Sequence, residues 1–286
     1  MTKVCILGNC QAQHLETMLK LSRPDIEVLN LEPVFMMTAE HHAAVYDKLG
    51  AADLIFAQRI SNEFKLDWLS SEHIRATFGS KVTVWPNVYF DGYFPGVNYI
   101  YYGSWGKLLS PLLEYHFHHL TAAFQAGLPV DQAIDRFAGE GLLAATPDPF
   151  EASLAQLRER EADVDITISD HLAERVGRER CFYTPNHPTN ELLGELLARL
   201  LRHAGEASDI APGVAMPYRL DEIYIATSPA VVGRYDLPFD RETRYVGREI
   251  LDIEGSSVKL GGAKSYNVIE LTEAFYRLYE NVLVSA

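Results

Sequence analysis

Cys10 has both the residue type and the position that thiol chemistry requires. It lies in the stretch VCILGNCQAQHLETML, where an apolar run passes through Gly-Asn into a helical pattern. A strand that feeds a tight turn and then a helix places the turn residue at the carboxyl edge of a parallel sheet, where ligands bind. The helix N-terminus favours a thiolate, and its N–H groups can hold an oxyanion. Cys10 is therefore a candidate nucleophile, with a buried inert thiol as the alternative.

The residues around Cys10 fit the same interpretation. Gly8 permits a sharp turn, and Asn9 has a side chain able to cap the helix or to donate a hydrogen bond. We group Gly8, Asn9 and Gln11 as candidate oxyanion or substrate-binding residues. Cys5 lies inside the predicted strand and is expected in the core. With Cys181 the sequence has three cysteines, an odd count that fits reduced thiols, and no CxxC pair for a structural zinc ion.

His187 is the candidate general base. It lies in CFYTPNHPTNELL, a second passage from strand through turn to helix, so we expect it at the same sheet edge as Cys10. Prolines on either side keep this loop out of the helix. A converging Cys–His pair would provide an activated thiol with a base. A surface or loop-stabilising histidine is the alternative.

Four further residues are candidates near this edge. Asn87, in VWPNVYF, could donate to an oxyanion or simply cap a turn. Gln58 and Arg59 follow the third predicted strand, and Arg59 could bind phosphate or carboxylate or form a surface ion pair. The aromatic loop 88–104, which includes Tyr93, could line a cleft or cover the sheet edge. We take Gln58, Arg59 and Tyr93 as candidate cofactor-binding residues.

No metal site is predicted. The clustered histidines His116, His118 and His119 cannot all share one helix face. The single glycine of ILGNCQ also leaves the GxGxxG dinucleotide fingerprint incomplete.

Alternating strands and helices must position these side chains. This β-α-β rhythm predicts a doubly wound, mainly parallel α/β sheet. The predicted strands are Val4–Leu7, Ile26–Leu31, Asp53–Ala57, Lys81–Trp85 and, as a fifth, Arg180–Thr184; the helices between the first strands are Gln11–Leu21 and His41–Leu49.

The second half of the chain is predicted to add two further parts. A helical insertion spans about residues 105–162, and a leucine-rich helix covers Glu191–His203. We expect an α/β domain over residues 1–205. A β-rich extension that ends in a helix then covers residues 206–286 and packs on the same domain.

Bulk properties exclude several function classes. The 286 residues carry a net charge of −14, which argues against nucleic-acid or anionic-membrane binding. No apolar run is long enough to span a bilayer, and the N-terminal run is too short for a signal peptide. A cytoplasmic protein is expected. The sequence leaves open whether the protein forms a homo-oligomer.

Three ordered motifs resemble the WcbI-type polysaccharide (capsule) biosynthesis family. They are ILGNCQAQ, WPNVYFDGYFPG and FYTPNHPTN. The family is described as acyltransferases that bind coenzyme A. The resemblance implies a three-layer α/β/α fold similar to SGNH hydrolases and flavodoxin, with Cys10 as nucleophile, His187 as base and Asn87 at the oxyanion position. Thr184 stands where that pattern has an acidic residue.

The leading hypothesis is an acetyl-coenzyme A-dependent O-acetyltransferase that acts on a sugar of a surface or capsular polysaccharide precursor. In one version Cys10 carries the acyl group; in the other, His187 acts alone as base and Cys10 shapes the site. A thiol-dependent esterase or deacylase acting on similar substrates is the first alternative. Because Thr184 replaces the acid, a non-catalytic module that binds coenzyme A or a glycan is the second.

Overall fold

A computed structural model of the chain describes residues 1–102, 106–139, 141–208, 210 and 219–283. The described strands are β1 (Thr2–Leu7), β2 (Ile26–Val28), β3 (Leu54–Gln58), β4 (Val82–Trp85), β5 (Val97–Asn98), β6 (Tyr101–Tyr102), β7 (Gly106–Lys107), β8 (His116–Phe117), β9 (Phe182–Thr184), β10 (His187–Pro188), β11 (Tyr245–Glu254) and β12 (Ser257–Tyr266). The described α-helices are α1 (Cys10–Ser22), α2 (His42–Ala51), α3 (Ser71–Phe78), α4 (His118–Gln125), α5 (Val130–Ala138), α6 (Gly141–Ala145), α7 (Pro149–Arg160), α8 (Ser169–Arg175), α9 (Asn190–His203), α10 (Pro229–Tyr235) and α11 (Val268–Val282).

The chain divides into two compact units, each built from separate segments. The first unit comprises Met1–Tyr89, Gln156–Leu172 and Pro188–Arg219. The second comprises Phe90–Ala155, Ala173–His187 and Leu220–Ala286. Most of the predicted insertion and of the predicted extension falls in the second unit, whereas Gln156–Leu172 and Pro188–Arg219 belong to the first. The predicted division at residue 205 stays a prediction.

The first unit contains a parallel sheet with the strand order β2-β1-β3-β4. The connection from β1 to β2 runs in one direction across the sheet, and those from β2 to β3 and from β3 to β4 run in the other. Right-handed crossovers then place α1 on one face and α2 and α3 on the opposite face. The predicted α/β class with a doubly wound parallel sheet is confirmed. The strand order matches the first four strands of the flavodoxin-like order 2-1-3-4-5. In that order the connections change direction between β1 and β3, and this place is called the switch point.

Both faces of the sheet are apolar because both are covered by helices. On one face, Leu49 of α2 and Ile74 of α3 pack with Cys5 and Ile55 in a continuous core cluster. On the other face α1 contacts α9, whose six leucines are buried. The helical periodicity of those leucines predicted this helix correctly.

The free edge of β4 is covered by residues just before α8. Asp165 N–H and Ile166 N–H donate to the carbonyl of Val84, and the carboxylate of Asp165 accepts from Val84 N–H at 2.6 Å. The predicted fifth strand is absent from this sheet in the described part of the chain. Phe182–Thr184 does form a strand, but it pairs with β10 in a two-stranded hairpin.

The second unit is mixed. Within the range of the predicted helical insertion the structure has the helices α4 to α7, of which α7 continues into the first unit. Residues 110–117 of that range form turns and the short strand β8 and are not helical. Two long antiparallel strands, β11 and β12, precede the helix α11. Over the described residues, no helix is both long enough and apolar enough to cross a membrane.

Candidate active site

Cys10 is the first residue of α1, directly after the turn that ends β1. Asn9 caps the helix, because its side-chain oxygen accepts from Gln11 N–H at 2.9 Å. Cys10 is half-buried and forms no disulfide. At this position the helix dipole and the N–H groups of the first turn favour a thiolate.

The other two cysteines have a different environment. Cys5 and Cys181 are buried, and burial raises the pKa of each thiol to about 12. Both therefore stay protonated at neutral pH. Cys5 is a core residue, as predicted.

Gly8 is required sterically at the end of β1. A Cβ atom there would lie 2.9 Å from both Cβ and Oε1 of Gln58, and 3.0 Å from Cβ of Ala12. Glycine thus lets the turn approach the end of the neighbouring strand β3. The carbonyl of Gly8 accepts from Val34 N–H at 3.0 Å, which ties the loop after β2 to the same turn.

Four side-chain amides connect this turn to the ends of β3 and β4. Asn9 N–H donates to Gln58 Oε1 at 2.9 Å, and Gln58 Nε2 donates to Gln11 Oε1 at 3.2 Å. Asn87 Oδ1 accepts from Asn9 Nδ2 at 3.4 Å and from Gln58 Nε2 at 3.3 Å. Gln11 Nε2 donates to the carbonyl of Val88 at 2.7 Å. The structure therefore brings together Gly8, Asn9, Gln11, Gln58 and Asn87 beside Cys10, at the β1/β3 switch point.

Arg59 follows Gln58 at this edge and forms an ion pair. Its Nε lies 2.6 Å from Asp163 Oδ1, and this contact lowers the pKa of Asp163. Both side chains are substantially exposed. Of the two alternatives that the sequence left for Arg59, phosphate or carboxylate binding and a surface ion pair, the structure shows the ion pair.

Tyr93 lies in the interior of the second unit. It is fully buried, and its hydroxyl donates to the carbonyls of Val176 at 2.8 Å and Glu179 at 3.1 Å. Phe90 and Phe150 pack against its ring edge to face. Because ring and hydroxyl are both used in packing, this placement does not support the cofactor-binding role expected for Tyr93. Residues 103 and 104 of the aromatic loop lie outside the described residues.

His187 is half-buried and begins β10, at the last position of its second-unit segment. Hydrogen bonds from Tyr115 stabilise the turn before His187. The Tyr115 hydroxyl hydrogen-bonds to Thr184 Oγ1 at 3.0 Å and donates to Asn186 Oδ1. Thr184, where an acid was expected, is fully buried and also donates to Asn186. Cys10 belongs to the first unit, so the Cys10–His187 pair stays a prediction.

Two buried polar side chains on α1 escaped the sequence reasoning. His14 is 4 % exposed and its Nε2 lies 2.8 Å from Asn190 Oδ1; burial lowers its pKa. Glu16 is 6 % exposed, accepts from Leu31 N–H at 3.2 Å, and burial raises its pKa to about 7. Their polar side chains gave no sign of burial in the sequence, because the buried face of α1 is wider than its apolar stripe.

Of the clustered histidines, His116 is fully buried and lies before the helix, on β8. Its Nε2 contacts the carbonyl of Leu108 and its Nδ1 the hydroxyl of Tyr279, each at 3.0 Å. Burial lowers its pKa to about 4. Within the described ranges, no three His, Cys, Asp or Glu side chains gather as a metal-binding group.

The first unit is thus an open α/β sheet with a cysteine and an amide cluster at its switch point, the location where proteins of this class bind ligands. A profile for the polysaccharide biosynthesis enzyme WcbI matches residues 3–208. The chain belongs to this family of polysaccharide biosynthesis enzymes.

A solved structure agrees with the family match over nearly the whole chain. It is described as native WcbI, a polysaccharide biosynthesis enzyme, without a disulfide bond between coenzyme A and a cysteine. It aligns with a TM-score of 0.75 and 22% identity, covering 98% of this chain and 95% of that one. At this identity the likeness establishes the fold. No curated protein matches the sequence.

Proposed function

We propose that the protein is an acyltransferase that takes an acyl group, in the first instance acetyl, from coenzyme A and delivers it to a hydroxyl of a polysaccharide precursor. The observation that carries the proposal is the position of Cys10: the first residue of α1, at the switch point, beside side-chain amides. Family membership supplies the polysaccharide context. Coenzyme A and a cysteine are both named for the solved WcbI structure. We assign to Cys10 the role of the cysteine that reacts with the coenzyme A thioester.

In the proposed first half-reaction the Cys10 thiol gives its proton to His187, and the thiolate attacks the thioester carbonyl. The oxyanion that forms is stabilised by N–H groups of the first turn of α1 and by the amide of Asn87. The carbon–sulfur bond to coenzyme A then breaks, and His187 returns the proton to the departing thiolate.

In the second half-reaction His187 removes the proton of a sugar hydroxyl, whose oxygen attacks the acyl-cysteine. The same donors hold the second oxyanion, and the Cys10 thiolate leaves and is reprotonated. We propose that the acceptor is a small polysaccharide precursor in the cytoplasm. If water attacked the acyl-cysteine in place of the sugar hydroxyl, the protein would be an esterase.

Mass spectrometry tests the covalent route. After incubation with acetyl-coenzyme A, we expect an acetyl adduct on the peptide that carries Cys10. Cys10→Ser should lose the thioester adduct, whereas Cys181→Ser, a change at a buried thiol, should keep it. An unmodified Cys10 together with full transfer by Cys10→Ser would contradict the covalent route and leave His187 as sole base. Hydrolysis without any transfer to a sugar would favour the esterase.

A further inference from the structure

The amide cluster beside Cys10 has a defined hydrogen-bond direction. Primary amides carry a donor NH2 and an acceptor oxygen of nearly equal shape, so a chain of them can run in two directions unless something fixes it. In this cluster the direction decides which end of the Asn87 amide points away from the protein network.

Backbone N–H groups, which can only donate, fix the direction at three points. Gln11 N–H binds Asn9 Oδ1 at 2.9 Å, Asn9 N–H binds Gln58 Oε1 at 2.9 Å, and Val88 N–H binds Gln11 Oε1 at 3.3 Å. Each of these oxygens is therefore an acceptor, and the NH2 groups of Asn9, Gln11 and Gln58 must face elsewhere.

The NH2 groups of Asn9 and Gln58 both face Asn87. They lie 3.4 and 3.3 Å from its Oδ1, so this atom must be the oxygen, and the NH2 of Asn87, at the other end of the planar amide, must point away from these two donors. Among the described residues, none accepts a hydrogen bond from Asn87 Nδ2. Asn87 therefore presents a fixed donor at the sheet edge that carries Cys10.

We propose that Gln58 is the positioning residue that holds Asn87 as a donor toward the acyl oxygen. Gln58 is 4 % exposed and hydrogen-bonds to Asn9, Gln11 and Asn87 at once. The missing side chain of Gly8 gives it room. The inference rests on the proposed acyl transfer and replaces the cofactor-binding role expected for Gln58 with one that acts through Asn87.

Gln58→Glu tests this role because the two side chains have nearly the same shape. An ionised carboxylate can still accept from Asn9 N–H, but it cannot donate to Asn87 Oδ1. Asn9 Nδ2 still donates to Asn87 Oδ1, but only at 3.4 Å. Because a hydrogen bond to the charged carboxylate is stronger, the Asn87 amide turns its NH2 toward the introduced carboxylate and its oxygen toward the substrate. We expect kcat to fall about 100-fold at alkaline pH, the usual cost of losing one oxyanion donor. At acid pH the protonated carboxyl donates again, so kcat should recover relative to wild type.

Two controls separate positioning from a structural defect. Gln132→Glu, on an exposed position of α5, adds the same charge and should follow the wild-type pH profile. In an Asn87→Ala background, Gln58→Glu should cause no further loss, because the residue acts through the missing amide. A loss in Gln58→Glu that is equal at all pH values, or that adds fully to that of Asn87→Ala, overturns the inference.

A second measurement does not depend on turnover. The side-chain amide resonances of Asn87 can be assigned in ¹⁵N-asparagine-labelled protein by their disappearance in Asn87→Ala. In Gln58→Glu these resonances should titrate with the introduced carboxyl, and in wild type they should not. If wild type transfers no acyl group, the proposed function fails while this titration still decides the role of Gln58. Unchanged Asn87 resonances in the variant would refute it.

Discussion

Replacing Glu16 by glutamine is expected to stabilise the protein at alkaline pH. Burial raises the pKa of this carboxyl from its ordinary value of 4.5 to about 7. At about 1.4 kcal/mol per pH unit, this difference corresponds to about 3 kcal/mol. The unfolded chain ionises near the ordinary value, so the folded state binds the extra proton between these two pH values. Stability should fall as pH rises through this window, and the full cost should persist above it.

Glutamine keeps an oxygen for Leu31 N–H and cannot ionise. Urea unfolding of Glu16→Gln and wild type should therefore give similar free energies at about pH 4.5 and a gain of up to about 3 kcal/mol for the variant at about pH 8. Glu63→Gln, at an exposed glutamate, controls for the loss of one negative charge. An equal gain at both pH values, or a destabilised variant at alkaline pH, would refute the reasoning.

Three further expectations concern packing and buried polar groups. In urea unfolding, Gly8→Ala should lower the free energy of unfolding by about 1–3 kcal/mol, because the added methyl group overpacks the turn. Gly50→Ala, where α2 has open space, should raise it by up to about 1 kcal/mol. Equal effects of the two changes would contradict the steric argument. Tyr115→Phe removes the hydroxyl that holds the β9–β10 turn and should cost about 1–3 kcal/mol, read from the thermal midpoint. Asp240 forms an ion pair with Arg180 in which both side chains are largely buried. Asp240→Asn should therefore lower the free energy of unfolding by about 3–5 kcal/mol, because it leaves the Arg180 charge without its carboxylate; an unchanged thermal midpoint would contradict this.

The parallel sheet was predictable because β1, β3 and β4 are short, mostly apolar runs that are largely buried, whereas β2, which contains Glu27, ends three residues before the predicted end of that strand. Val4–Leu7 and Lys81–Trp85 were predicted to within a residue or two. Arg180–Thr184 has the same local pattern, and a strand does form there. Its pairing partner was not predictable, because backbone hydrogen bonding in a sheet depends on which chain segment arrives alongside, here the next few residues.

The candidate site was only partly readable from the sequence. Residue type and the turn position identified Cys10, Asn9 and Asn87 as polar groups at one edge. The role of Gln58 depends on distances to Asn9 and Gln11, which are remote in sequence and are fixed only by strand pairing. The sequence pattern of the aromatic loop allowed Tyr93 either to line a cleft or to pack over the sheet edge, and only the contacts of its hydroxyl with Val176 and Glu179 show that its side chain is buried.

The interleaving of the two units has a consequence for synthesis on the ribosome. The boundaries fall after residues 89, 155, 172, 187 and 219, and α1 near the start packs against α9 near residue 200. The strands that carry the candidate site therefore emerge long before the helix that covers one of their faces. The nascent chain must carry this uncovered apolar surface until α9, Asn190–His203, has been translated. No single cut can release either unit as a continuous fragment, so truncated versions would lose part of a core.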